Sequence, residues 1–240
     1  MNNSVNDNNL TLGYNQDVLD RVVKKIVDSY RYDHNGEPRL GSISGLRSWF
    51  HSMFLYNHVD RVCSLWYSPI AVACVNRVAE RQNEVNRRLY DSYNFIYNTV
   101  VDAGKRWAAT VGADWYPIEN FPMYLGDYDL PTTAVKEKRV DGFVGITDVE
   151  KLSAVPSVLN QFCEIVETSM TEFRDYVRNN TIFMGASQTN YLCDSISKTL
   201  TAVLELLRAN FDDFSKSLNE SIEQHQQTAQ ANARMFASGN

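Results

Sequence analysis

The fold is decided by residues 192–222, which read LCDSISKTLTAVLELLRANFDDFSKSLNESI. Apolar side chains recur here at steps of three and four residues, the spacing that places them on one face of an α-helix. The steps repeat as four, four and three, and this 11-residue period lies close to the twist of a straight helix. We therefore predict one long, nearly straight helix with a single buried seam. Its core residues are Leu192, Ile196, Leu200, Val203, Leu207, Phe211, Phe214 and Leu218, and the stripe continues to Ile222.

A second stripe of the same kind lies just upstream. It consists of Leu159, Phe162, Val166, Met170, Phe173 and Val177. Residues 179–187 separate the two stripes, and their consecutive asparagines and Gly185 are typical of a turn. Because a short connection makes neighbouring helices antiparallel, residues 153–240 are predicted to form a helical hairpin.

The first half of the chain repeats this arrangement. Residues 14–111 carry an apolar stripe at 19–30, a second at 46–66 and a third at 75–111. Pro69 suits the first position of a helix, where its missing N–H costs nothing, so a turn is expected near residues 67–69. The chain is therefore predicted to be all-α, with an N-terminal helix and two tandem antiparallel hairpins that form a four-helix bundle.

Two segments fall outside the helices. Residues 1–13 are predicted to form a polar N-terminal arm. Residues 112–152 are rich in proline, glycine and aromatic side chains, which indicates an ordered irregular strap between the hairpins. Thr147 and Glu150 have the spacing of a capping box, which predicts that helical structure resumes there.

Composition excludes several classes of protein. With 44% hydrophobic and 22% charged residues in 240, the chain is globular and not disordered. A net charge of −6 makes nucleic acid an unexpected partner, because lysine and arginine supply most of that affinity. The longest apolar run, residues 70–75, is too short to span a membrane. The polar N-terminus does not resemble a signal peptide, so we expect synthesis in the cytoplasm without one.

Motifs for catalysis are missing from the sequence. It contains no phosphate-binding glycine-rich loop and no cysteine spacing typical of zinc sites, so we expect no enzyme activity, metal, cofactor or small-molecule substrate. His51 and His58 share one predicted helical face, but a third ligand with suitable spacing is missing. Cys63 and Cys74 flank the first predicted turn at similar distances. They are expected to be free buried thiols, with a disulfide between them as the alternative.

Each predicted hairpin has an aromatic residue immediately before its turn. The two turn motifs are Trp66, Tyr67 and Ser68 in the first hairpin and Phe183, Met184 and Gly185 in the second. Their arrangement resembles the Trp-x-Gly family of small helical hairpins exported by type VII secretion systems, as a divergent tandem repeat in which the first turn lacks glycine and the second lacks tryptophan. The resemblance implies that the aromatic ring packs across each turn, and that the chain acts in export.

These observations lead to a functional expectation. We expect a non-enzymatic helical interaction module that resembles type VII secretion substrates or their targeting partners and binds a protein partner, or itself, through long helical faces. The alternative is a structural subunit of a virus or phage particle, which would assemble through helical faces, the aromatic strap and the asparagine-rich arm. Residues 224–234, rich in glutamine and alanine, are either a docking face or a solvated one.

Overall fold

The computed structural model describes residues 15–31, 60–124, 144–181 and 185–238, together with the backbone of residues 5–7 and 10–12. The all-α class is confirmed, since most of these residues are helical. The helices are α1 (Gln16–Tyr30), α2 (Asp60–Leu65), α3 (Pro69–Thr110), α4 (Val149–Ser153), α5 (Val155–Thr181) and α6 (Ala186–Ser238). Among the helices of these ranges, none is both long and apolar enough to cross a membrane.

Short antiparallel strand pairs accompany the helices. Strand β1 (Val5–Asp7) pairs with β2 (Leu10–Leu12), inside the segment that the sequence indicates to be a polar arm. Strand β3 (Trp66–Tyr67) pairs with β4 (Gly145–Ile146), which brings together residues about 80 positions apart in the chain. Neither pairing is predicted from the sequence, because strands of two or three residues are too short to show an alternating pattern.

The helices form where the apolar stripes are. Helix α1 begins after Asn15, whose side-chain oxygen accepts a hydrogen bond of 3.3 Å from the Val18 N–H, as at a typical N-cap. In α6, every member of the quoted stripe from Leu192 to Ile222 is buried. The spacing of apolar residues therefore accounts for which face of each helix is covered.

The chain divides into two units, and helices α3, α5 and α6 each contribute a segment to both. In the described part of the chain, unit 1 contains α1 with residues 86–124, 165–181 and 185–204. Unit 2 contains residues 60–85, 144–164 and 205–238.

In unit 1, α1 is the antiparallel neighbour of α3. Tyr30, near the end of α1, packs against the rings of Tyr90 and Tyr93, with centroids 5.5 and 6.0 Å apart. Leu19, near the start of α1, lies instead beside Gly104, further along α3. The order of these contacts reverses along the two helices. The N-terminal helix is thus part of the core of this unit.

The first part of the predicted strap, residues 112–124, is ordered against unit 1. The Phe121 ring packs on Tyr30, Tyr90 and Tyr97, with centroid distances of 5.2, 5.6 and 5.6 Å. Glu119 forms ion pairs with Arg31 and, at 3.6 Å, with Lys24. The predicted strap between residues 125 and 143 lies outside the described residues.

Trp115 anchors the same segment. Its ring is 3% exposed and lies over Gly104, where a Cβ atom would stand 2.7 Å from the ring atom Cζ3. Its indole N–H donates a 2.9 Å hydrogen bond to Asp20 Oδ1. A glycine is required at position 104 because any side chain there would collide with the indole ring.

Unit 2 packs parts of α3, α5 and α6 together. Phe162 of α5 meets Phe211 of α6 with ring centroids 6.3 Å apart. On α3, Arg81 forms an ion pair with Asp213 of α6. Asn210 is 2% exposed, and its Nδ2 donates to the Val78 carbonyl at 3.3 Å.

Candidate functional site

The first turn motif is a structural element of unit 2. Trp66 is 4% exposed and pairs in β3 with Ile146, and Tyr67 pairs with Gly145. Ser68 then caps α3, because its Oγ accepts a hydrogen bond of 3.2 Å from the Ile70 N–H. The sequence places the start of α3 correctly at Pro69, but a strand precedes it where a simple turn is expected.

The end of the strap is attached to this turn. The N–H and Oγ1 of Thr147 both donate to the Leu65 carbonyl, at 2.8 and 3.2 Å. The predicted cap at Thr147 is therefore wrong by one residue, since Asp148 is the N-cap of α4 and accepts from the Lys151 N–H at 3.0 Å. Thr147 is used instead to join β4 to the end of α2.

Of the second turn motif, Gly185 alone is described, and Phe183 and Met184 lie outside the described residues. Gly185 has φ +93°, a left-handed conformation that favours glycine, and its carbonyl accepts from the Thr189 N–H at 3.0 Å. The Thr189 hydroxyl also donates to the Thr181 carbonyl at 2.6 Å, and both threonines are buried. This hydrogen bond joins the end of α5 to the first turn of α6.

The possible disulfide between Cys63 and Cys74 is not formed in the structure, where Cys63 is buried, as expected, and Cys74 is only half-buried. Strand β3 and Ser68 separate α2 from α3, so the two cysteines do not flank a simple helical turn. Burial raises the pKa of the Cys74 thiol, an effect that a hydrogen bond with Ser217 and the charge of Arg77 only partly oppose. The thiol form, and not the nucleophilic thiolate, is therefore favoured at neutral pH.

Other chemistry-bearing groups are engaged in structural contacts. Burial raises the pKa of Tyr93, which packs on Phe173 with centroids 4.9 Å apart. Burial likewise raises the pKa of Tyr97, whose hydroxyl donates to the Glu119 carbonyl at 2.7 Å. Within the described ranges, no three histidine, cysteine, aspartate or glutamate side chains gather as metal ligands. His51 and His58 lie outside those ranges.

Two surface pockets in the described part of unit 1 are small. One of about 140 Å³ lies between α5 and α6, lined by residues that include Met170, Arg174 and Leu200. Another of about 150 Å³ is lined by residues that include Lys25 and Tyr176, where the Lys25 ammonium lies 5.5 Å from the Tyr176 ring centre. Sites for small molecules usually have about 300–1,000 Å³. Both pockets are smaller than that range.

Among the described residues of unit 2, the most exposed apolar feature is the end of α6. The last buried residue of the helix is Ile222, yet the helix continues to Ser238. Every side chain from Gln226 to Ala237 is exposed, including Met235 at 65% and Phe236 at 82%. We call residues 223–238 the α6 extension. The sequence alone leaves open whether residues 224–234 are a docking face or a solvated one. The apolar spacing of the buried stripe, when it is continued to Phe236, identifies an apolar face there.

Comparisons with known proteins yielded no match among protein-family models, curated proteins or solved structures.

Proposed function

We propose that this chain is a non-enzymatic helical protein-interaction module that binds a protein partner through long helical faces. The observation that carries the proposal is the α6 extension, which is about 24 Å of helix in which every side chain from Gln226 to Ala237 is exposed. Most helical stability in proteins comes from the packing of an apolar face, whereas in the extension these side chains are all exposed. A partner lying along it would supply the packing that the rest of α6 receives from its buried seam.

The chemistry of the extension also favours a protein partner. It carries Phe236 and Met235 as large apolar anchors, and alanines at 229, 231, 233 and 237 that allow another backbone to approach closely. Aromatic side chains and methionine are enriched at protein interfaces, and an amphipathic helix binds a groove through residues spaced by three and four positions.

The proposed architecture is a pair of antiparallel hairpins that form a four-helix bundle. For α5 and α6 it is supported by the hydrogen bond between Thr181 and Thr189 and by the ring contact between Phe162 and Phe211. The residues of each pair lie at similar distances before and after Gly185, which is the relation expected when a chain reverses there.

The resemblance to type VII secretion hairpins belongs to the same proposal. It is supported by Trp66, a buried ring at the start of the first turn, and by the left-handed Gly185 at the second. The resemblance implies an aromatic ring packed across each turn, and the first of these rings, Trp66, lies in strand β3. We propose that the chain acts as a type VII substrate or as a targeting partner of one.

The proposal is tested by photo-crosslinking in the cell of origin. A photoreactive amino acid replaces Ala233, on the apolar face of the extension, and the control carries it at Gln227, which is also exposed but lies on the opposite side of the helix. A defined protein adduct at position 233 that is much weaker at position 227 supports the proposal. The proposal is wrong if neither position gives an adduct, or if both give the same diffuse pattern. Purified protein that forms rings or filaments would instead favour a structural particle subunit.

A further inference from the structure

The pocket of about 150 Å³ in unit 1 combines an aromatic floor with several hydroxyl groups. It is lined by side chains of α1, α3 and α5. Its buried lining residues are Tyr93 of α3 and Phe173 of α5, which are 1% and 3% exposed and whose ring centroids lie 4.9 Å apart. Ser29 of α1 and Ser169 of α5 are half-buried and form the sides. The pocket can therefore offer both apolar contact and hydrogen bonds.

The Tyr93 hydroxyl has no hydrogen-bond partner among the described residues. Burial alone raises the pKa of this side chain, and no hydrogen bond in the described ranges opposes that effect. Three side-chain atoms of those ranges are completely enclosed without a partner, and the Tyr93 hydroxyl is not one of them. Because it is neither bonded nor completely enclosed, it opens to the pocket. Leaving a hydroxyl unbonded in a buried setting is costly, so a molecule that bonds it there is favoured.

Opposite charges stand at the rim of the pocket. Lys25 of α1 and Glu172 of α5 are both exposed, and neither forms an ion pair with any described residue. The Lys25 ammonium lies 5.5 Å from the centre of the Tyr176 ring, a contact that holds it at the rim and keeps its charge. A simple anion would be attracted by Lys25 and repelled by Glu172, and a simple cation the reverse. A ligand that carries both charges can meet an opposite charge on each side.

The volume of the pocket limits the size of such a ligand. It is smaller than the usual site for a drug-sized molecule, but a cavity of about 150 Å³ holds a ligand of about six heavy atoms, such as benzene. An α-amino acid with a short side chain, such as alanine or serine, is of this size. Its aliphatic carbons would contact the aromatic floor, whereas a nucleotide or a sugar phosphate is too large to enter.

We propose that this pocket binds a small zwitterionic α-amino acid. The ligand carboxylate accepts a hydrogen bond from the Tyr93 hydroxyl and faces Lys25, and the ligand ammonium group faces Glu172. The lining residues all belong to unit 1, whereas the α6 extension belongs to unit 2. The inference therefore goes beyond the proposed function and does not depend on it.

The test is an NMR titration of the full chain with alanine and with serine. We expect saturable shifts of the backbone amide signals of the lining residues at millimolar ligand concentrations. The matched probes are propionate and ethylamine, each of which lacks one of the two charged groups of alanine and should bind about tenfold more weakly. A pocket that holds only water would give no saturable shift with either amino acid. That result, or an affinity for propionate or ethylamine equal to that for alanine, would overturn the proposal.

Two variants assign the groups that hold the ligand. Tyr93→Phe should weaken alanine binding about tenfold without lowering the melting temperature of the ligand-free chain, because the hydroxyl has no protein partner to lose. Tyr90→Phe is the control, since Tyr90 lies on the same helix outside the pocket, and it should leave the affinity unchanged. Glu172→Gln should weaken alanine binding but strengthen propionate binding, because it removes the charge that repels a simple anion. Unchanged alanine binding by Tyr93→Phe, or a Glu172→Gln effect in the same direction for both probes, would show that the proposal is wrong.

Discussion

Replacing Gly104 with alanine is expected to destabilise the chain, although alanine is the better helix former. A Cβ at this position would stand 2.7 Å from Trp115 Cζ3 and 3.0 Å from Leu19 Cδ2. The indole cannot move away easily because it is buried and its N–H is bonded to Asp20. Overpacking of this kind costs about 1–3 kcal/mol, whereas the helix propensity of alanine recovers about 0.5–1 kcal/mol. We expect a net loss of about 1–2 kcal/mol.

The assay is a double-mutant cycle measured by denaturant unfolding, followed by circular dichroism at 222 nm. Trp115→Leu removes the ring atoms that collide and leaves only the contact with Leu19, so in that background Gly104→Ala should cost at least about 1 kcal/mol less than in the wild type. Gly112→Ala is the control. Gly112 has φ +70°, so alanine adds backbone strain there but no collision. Gly112→Ala should therefore cost the same in the wild type as in the Trp115→Leu background. If Gly104→Ala costs the same with and without Trp115, the contact does not explain the glycine.

Three further changes test other parts of the structure. Phe211→Ala should cost about 3–5 kcal/mol of unfolding free energy because its ring is buried, whereas Phe236→Ala should cost less than about 0.5 kcal/mol; equal costs would contradict the assigned helix face. Ser68→Ala should cost about 1 kcal/mol by removing the cap of α3, which thermal unfolding measures, and Ser68→Asp should restore most of it. The Asp148 carboxyl has a lowered pKa, chiefly because it accepts a hydrogen bond from the Lys151 N–H. Its stabilisation is present above the ordinary carboxylate pKa and is lost as the pH falls through the lowered value, so wild type and Asp148→Ala should converge in stability below about pH 4, and a constant difference would contradict the cap.

The sequence predicts the long helices well because their apolar stripes are local and long. The buried face of α6 and the start of α3 at Pro69 both follow from spacing and capping chemistry alone. The pairing of β3 with β4 could not be predicted in this way, since it joins two dipeptides about 80 residues apart. The contact of Trp115 with Gly104 is likewise invisible in a single sequence, because nothing local distinguishes this glycine from one in a turn.

The candidate site was only partly accessible from sequence. The first aromatic turn motif is recognisable in the sequence, but its role is not. In the structure Trp66 is buried, Tyr67 pairs in strand β3 and Ser68 caps α3. The α6 extension looks like a polar tail because glutamine and alanine dominate it. Its apolar face becomes recognisable only when the 11-residue spacing of the buried seam is continued past the last buried residue to Phe236.

Hydrogen–deuterium exchange of the purified chain, read by mass spectrometry, tests the central claim most directly. In dilute protein, the account predicts strong protection of residues 192–222 and rapid exchange of residues 226–237, because the extension makes a helix without burying its face. Adding the binding partner should slow exchange in the extension. Strong protection of residues 226–237 in the dilute monomer would contradict the claim that this face is open to a partner.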